Sequence, residues 1–257
     1  MCGARGFTLI ELIMVIVVAS VLGMGVVSFL GHSVEGYVDT AQRQQMAMAG
    51  TSAMEKMSRR LRDALPNSIR VGSSGRCIEF IPILAGSEYL SVPIATAAST
   101  FDAVTGARAS AVTGRVVVYP ISTSALYNPS NPGTLTTVDG TLPAGTGQVT
   151  VTLDAAHQFV QDSPTRRFFV VNTPMTYCQV GTQLFRYQGY GFNSTPAWPP
   201  TGGTRTLILD NLVANSVTFD YLPATLVRNA VVNLGLELSV GGENWVLQQQ
   251  VTLRNVP

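Results

Sequence analysis

Hydrophobic positions fall in two regimes. From Phe7 the chain is almost wholly apolar, and from Leu12 to Leu30 no charged residue occurs. Those 19 residues make a helix of about 28 Å, close to the thickness of a bilayer's hydrocarbon core. The pattern then becomes amphipathic. Met46, Gly50, Ala53, Met57 and Leu61 recur three or four apart and form one face, while Asp39 with Arg43 and Glu55 with Arg59 are i,i+4 pairs on the wet side. No proline interrupts residues 7–65 and Pro66 follows, so the spacing predicts one helix over 7–65, with 12–30 as the membrane span.

Beyond Pro66 the period shortens to two. Predicted strands are Cys77–Ile81, Arg115–Tyr119, Gln148–Leu153, Phe168–Val171, Gln183–Tyr190, Thr206–Leu209, Ser216–Leu222, Val231–Val240 and Trp245–Leu253. Gly241-Gly242-Glu243-Asn244 reads as the loop of a hairpin between the last two. Residues 122–147 and 191–205, rich in Pro, Gly, Ser, Thr and Asn, read as long surface loops where partner contacts would concentrate. The expected fold class is α+β, a long N-terminal helix on a large antiparallel β-rich head at 66–257.

Charge sharpens the first regime. Arg5 precedes the apolar run and no Lys or Arg follows until Arg43, which leaves the N-terminus cytoplasmic and sends the rest across. Glu11 stands at the edge of the run, where an unpaired carboxylate is unfavourable by up to a few kcal/mol. Gly23, Gly25, Gly31 and Gly36 weaken the middle of the helix by about 1 kcal/mol each relative to alanine. They suit either close helix packing or a segment that melts on assembly.

Overall charge is +1, with 16 Lys and Arg against 15 Asp and Glu, so nothing global points to nucleic acid. Lys56, Arg59, Arg60 and Arg62 cluster in the last turns of the helix, where cations suit the macrodipole; without interleaved aromatics they do not suggest nucleic-acid binding. The two histidines, His32 and His157, have no acid-plus-nucleophile pattern near them. No catalytic constellation, metal set, nucleotide motif or cofactor site is expected. There are three cysteines, Cys2, Cys77 and Cys178. Cleavage after residue 6 would remove Cys2 and leave one possible pair. Cys77 and Cys178 are then either a disulfide closing a loop of about 100 residues or two buried thiols.

Gly6-Phe7-Thr8-Leu9-Ile10-Glu11-Leu12 resembles the class III signal of type IV prepilins and type II secretion pseudopilins. The resemblance implies residues 1–6 as a leader cut after Gly6 by prepilin peptidase. It also implies Phe7 as the N-methylated mature N-terminus and Glu11 as the assembly carboxylate, neutralised by the Phe7 amine of a neighbouring subunit. An ordinary signal peptide cut near Ala19-Ser20 fits poorly, because the apolar run continues ten residues past that site. An uncleaved signal anchor would leave a chain beginning at Met1.

Arg76–Phe80, Pro174–Cys178, Phe185–Tyr190 and Gln250–Pro257 are similar to minor pilins of mannose-sensitive haemagglutinin (MSHA) pilus systems. A head of about 190 residues is large for a major subunit of the family. Expected partners are the prepilin peptidase, other major and minor pilins, the inner-membrane assembly platform and membrane lipid. The expected place is the bacterial inner membrane with the head in the periplasm, then the pilus. A minor pseudopilin of the J type and a tip adhesin are the other roles this resemblance allows.

Overall fold

The protein is described by a computed structural model covering residues 6–225 and 228–253. Element order is α1 (Leu9–Arg62), β1 (Arg70–Gly72), β2 (Cys77–Phe80), β3 (Ile83–Tyr89), β4 (Ala98–Arg108), β5 (Val112–Val118), α2 (Thr123–Tyr127), β6 (Leu135–Leu142), β7 (Gly145–His157), β8 (Arg167–Val171), β9 (Met175–Val180), β10 (Gln183–Gln188), β11 (Thr204–Leu209), β12 (Thr218–Leu222), β13 (Val231–Val240) and β14 (Glu243–Thr252). The architecture is α+β and pilin-like: a long N-terminal helix joined to a large antiparallel β-rich domain. Two compact units divide the chain between Met48 and Ala49.

In the first unit α1 begins at Leu9, two residues later than the apolar run. The Thr8 hydroxyl accepts the Glu11 N–H at 3.3 Å, and the Thr8 carbonyl accepts the Leu12 N–H at 3.2 Å, so Thr8 caps the helix. Residues 6–30 are exposed throughout, Leu9 at 76% and Phe29 at 71%. Polar groups in this stretch turn inward on their own backbone. Ser20 donates to the Ile16 carbonyl at 2.7 Å, Ser33 to that of Phe29 at 2.9 Å, and His32 Nδ1 lies 2.8 Å from that of Ser28. The helix therefore offers its surroundings mostly hydrocarbon, with the Ser20, His32 and Ser33 side chains bonded to its own backbone, which suits lipid or a helix bundle and not water. By length and composition it can cross a membrane.

The second unit starts with the last turns of α1. Gly50, Ala53, Met57 and Leu61 are buried, as their spacing predicts, and Met54 and Ser58 join them; Met46, at the end of the first unit, is buried too. The helix stops at Arg62 rather than at residue 65. Leu65 precedes Pro66, a position that disfavours helical backbone, and its N–H bonds the Ile81 carbonyl at 2.8 Å. Ala64 bridges Pro82, so residues 63–65 join the sheet edge instead.

Three β assemblies follow. β1, β2, β9, β10 and β11 form a five-stranded sheet in that order. β3, β4, β7, β6, β5 and β8 close into a barrel, and β12, β13 and β14 form a three-stranded sheet. The barrel is filled by Phe101, Phe159, Phe168, Val116, Val151, Val170 and Leu142. Phe101 packs edge-on against Phe168 at 5.3 Å and against Phe159 at 6.2 Å, geometries that suit ring quadrupoles.

Most of the expected strands are found within a few residues of their predicted ends, and β13 runs over Val231–Val240 as expected. The expected 122–147 loop is not irregular throughout: it contains α2 and β6. β6 reads Leu-Thr-Thr-Val-Asp-Gly-Thr-Leu, and its Thr and Gly residues, which resemble loop composition, are strand positions facing out of the barrel or packed under a neighbour. Gly140 is one such position: a Cβ there would meet Leu153 at 2.6 Å and Val116 at 2.8 Å. β1, β3, β4 and β9 were likewise not expected as strands.

Candidate functional site

Gly6 and Phe7 lie outside the helix, exposed and in irregular backbone, with Phe7 76% exposed. No atom comes within 4 Å of a Cβ placed on Gly6. Glu11 sits in the first turn of α1, where a carboxylate complements the helix dipole. It forms no ion pair with another described residue. Thr8, Ile10, Glu11, Met14, Val15, Val18, Ala19 and Leu22 line a shallow groove of about 470 Å³ along the helix. Their spacing puts the carboxylate at one end of an apolar stripe fit for another helix. Met1–Arg5 of the expected leader, including Cys2, lie outside the described residues.

The structure brings Cys77 and Cys178 together as a disulfide. They face each other across the β2–β9 pair with Cα atoms 4.2 Å apart, buried against Phe185 and Tyr187. Residues 101 apart in sequence are tied between two central strands of the five-stranded sheet.

Beside the disulfide lies a polar cluster that the sequence did not point to. Glu79 on β2 has a side chain only 3% exposed. It accepts from Arg70 Nε at 2.7 Å, from Arg70 Nη2, and from the Tyr190 hydroxyl at 2.8 Å. Arg70 lies over the Tyr127 ring, 3.4 Å from its centroid, and donates to the carbonyls of Ser194 at 3.1 Å and Asn193 at 3.0 Å. Burial, reinforced by the Glu79 charge, pushes the Tyr127 and Tyr190 hydroxyls well above the usual phenol range, so both act as neutral donors. Trp198 settles over Gly72, where a Cβ would meet the indole ring at 2.1 Å. The irregular stretch between β10 and β11 is thus pinned at residues 190, 193, 194 and 198. Its one sequence signal was an acid in the middle of an otherwise apolar strand, Cys-Ile-Glu-Phe.

The basic turns of α1 gather two distant partners. Arg186 of β10 joins Lys56, Arg59 and Arg60 around a groove of about 500 Å³ floored by Tyr177 and Ile208. Arg167 of β8 joins Arg59 and Arg62 in a neighbouring one of about 890 Å³. Arg59 pairs with Glu55 at 2.6 Å, the expected i,i+4 contact.

His32 belongs to the first unit and His157 to the second. His157 is 1% exposed, its Nε2 3.1 Å from the Gly133 carbonyl, and burial holds its pKa below the usual imidazole value. Among the described residues, no group of three or more His, Cys, Asp or Glu is placed to hold a metal.

Residues 1–27 match the family described as the prokaryotic N-terminal methylation motif. No curated protein and no solved structure gives a significant match to the chain. The chain therefore carries a class III signal and methylation motif of the kind that type IV pilin-like proteins bear, ahead of a helix able to cross a membrane.

Proposed function

We propose that this chain is a minor pilin-like subunit that primes or caps an MSHA-type type IV pilus. Prepilin peptidase cuts after Gly6 and the new Phe7 amine is methylated. Until assembly the protein rests in the inner membrane through residues 12–30, with residues 66–257 in the periplasm as its head. An assembly platform then moves it into the filament beside other major and minor pilins.

One observation carries the reading: a methylation motif over residues 1–27 coincides with the start of an exposed apolar stretch, residues 7–30, whose one carboxylate is Glu11. Such a carboxylate in hydrocarbon costs about 2.5–3.5 kcal/mol at the centre of a span and less at its edge. An ammonium on Phe7 of a neighbouring chain would relieve that cost and fix the axial register of the two helices. Resemblance of the four head and tail patches to the MSHA minor pilin-like protein MshO favours the pilus; of these, 254–257 lie outside the described residues. Size and the disulfide-tied head favour a minor over a major subunit.

The test is a clean in-frame deletion with the major pilin still expressed, followed by a count of surface pili. Pili should vanish or become rare, and return on complementation. Unchanged pili would remove the priming role. The same motif also serves minor pseudopilins of type II secretion, and a secretion defect in the same deletion strain would select that role instead.

A further inference from the structure

The groove between the last turns of α1 and the five-stranded sheet holds positive charge that the fold itself does not neutralise. It lies wholly in the second unit and has a volume of about 500 Å³. Its charged lining is Lys56, Arg59, Arg60, Glu55 and Asp63 from the helix and Arg186 from β10. Glu55 takes up Arg59 at 2.6 Å. Among the described residues no carboxylate forms an ion pair with Lys56, Arg60 or Arg186. Four cations against two carboxylates leave a local charge of +2, on a chain whose total is +1.

The helix macrodipole accounts for cations at the end of α1 but not for Arg186. Arg186 stands on a strand between Tyr177 of β9 and Thr206 of β11, and neither neighbour is acidic. Its Nε is out of water with no hydrogen-bond partner, an unfavourable condition for a cation unless an anion is close. Tyr177 is 1% exposed and forms part of the groove floor. Its hydroxyl lies beside the Arg186 guanidinium with Arg60 near it, and among the described residues nothing accepts its proton. Burial raises its pKa above the ordinary phenol value and outweighs the two arginines, so the group is a neutral donor.

We propose that this groove binds a phosphate monoester, with Arg60, Arg186 and the Tyr177 hydroxyl on the phosphate and Lys56 at its side. The charge fits, because such a group carries about −1.5 to −2 near neutral pH. A carboxylate brings one charge, and its planar pair of oxygens suits a single guanidinium fork. Here the donors come from a helix wall, a strand and the floor, an arrangement that suits a tetrahedral group with three terminal oxygens. The volume is that of a small-molecule site and leaves room for the group to which the phosphate is esterified. A soluble ester and a phosphatidic acid headgroup present the same chemistry, and the test separates them.

The full chain in phosphatidylcholine nanodiscs is titrated calorimetrically with glycerol 3-phosphate. Saturable binding is expected. Arg186→Gln or Arg60→Gln should weaken it about tenfold or more, the worth of one hydrogen bond between charged groups, and Tyr177→Phe by less. Arg205→Gln removes a cation from over the Phe185 ring, on the other face of the same sheet, and should leave binding unchanged. Binding should strengthen as pH rises through about 6, where the ester gains its second charge while arginine and lysine keep theirs. That readout uses the parent chain and needs no variant to fold. Nanodiscs containing phosphatidic acid, with phosphatidylglycerol as the charge control, separate the sources. Loss of ester binding only with phosphatidic acid assigns the groove to a lipid phosphate, and unchanged binding assigns it to soluble esters. No saturable binding in phosphatidylcholine discs, no strengthening with pH, or an equal loss in Arg205→Gln would each overturn the proposal. So would tighter binding of a glutamate-rich peptide, which would assign the groove to an acidic protein segment instead.

Discussion

Glu79→Ala is the most informative single change in the head. The Glu79 side chain is 3% exposed and that of Arg70 13%, so removing the carboxylate leaves a guanidinium buried without a counter-charge. Breaking a buried pair in this way costs about 3–5 kcal/mol. Two Arg70 hydrogen bonds to Glu79 disappear along with the one that Tyr190 donates. The cost corresponds to about two to three and a half orders of magnitude in the unfolding equilibrium, at 1.4 kcal/mol per factor of ten. Arg70→Met with Glu79→Met removes both charges together, and should recover most of the loss because a buried pair contributes little net stability over apolar side chains. The assay is urea unfolding of the detergent-solubilised full chain, followed by Trp198 fluorescence, since that indole rests over Gly72 beside the cluster. Limited proteolysis in native buffer should show new cuts in residues 191–203, whose backbone Arg70 holds at Asn193 and Ser194. A loss below about 1 kcal/mol for Glu79→Ala, or a double variant as unstable as the single one, would refute the reasoning, because a solvated pair behaves that way.

Other outcomes follow from the same contacts. Replacing both Cys77 and Cys178 by serine should lower stability by up to about 4–5 kcal/mol, from a loop of about 100 residues no longer closed in the unfolded chain, measured by urea midpoint against the oxidised parent. His157 has a folded pKa below its unfolded value, so the unfolded chain binds the extra proton. Its contribution is fully present above about pH 6.5 and is lost as pH falls from there through the folded pKa. Midpoints across pH 7 to 5 should fall in the parent and fall less in His157→Gln. Gly72→Ala drives a methyl into the Trp198 ring and should cost about 1–3 kcal/mol with a shifted indole emission; an unchanged spectrum would count against the packing. Glu11→Val should leave cleavage after Gly6 intact while sharply reducing incorporation into filaments, read by immunoblot of sheared pili. Normal incorporation would count against the role assigned to Glu11.

The N-terminal helix was legible in the sequence because its signals are local. A 19-residue uncharged run, one carboxylate and a proline stop need no tertiary partner to be read. The β13–β14 hairpin was legible for a similar reason: alternation runs through Val232, Leu234, Leu236 and Leu238, and Gly241 and Gly242, both at positive φ, supply the turn. The barrel was not. β4 and β6 are built from Thr, Ala, Gly and Ser as much as from Val and Phe, a composition shared with loops. Their burial comes from closure, which only the pairing of β8 with β3 reveals. The Arg70–Glu79–Tyr190 cluster joins residues 9 and 111 apart, and no local spacing announces it. Arg167 and Arg186 likewise join the helix-end cations only through the fold.

The most direct test of the central claim is the mass of the N-terminal peptide from protein extracted from the native membrane. The account predicts a chain that begins at Phe7 with one methyl group on its α-amine. A mature chain that begins at Met1, or one cut near Ala19-Ser20, would contradict it.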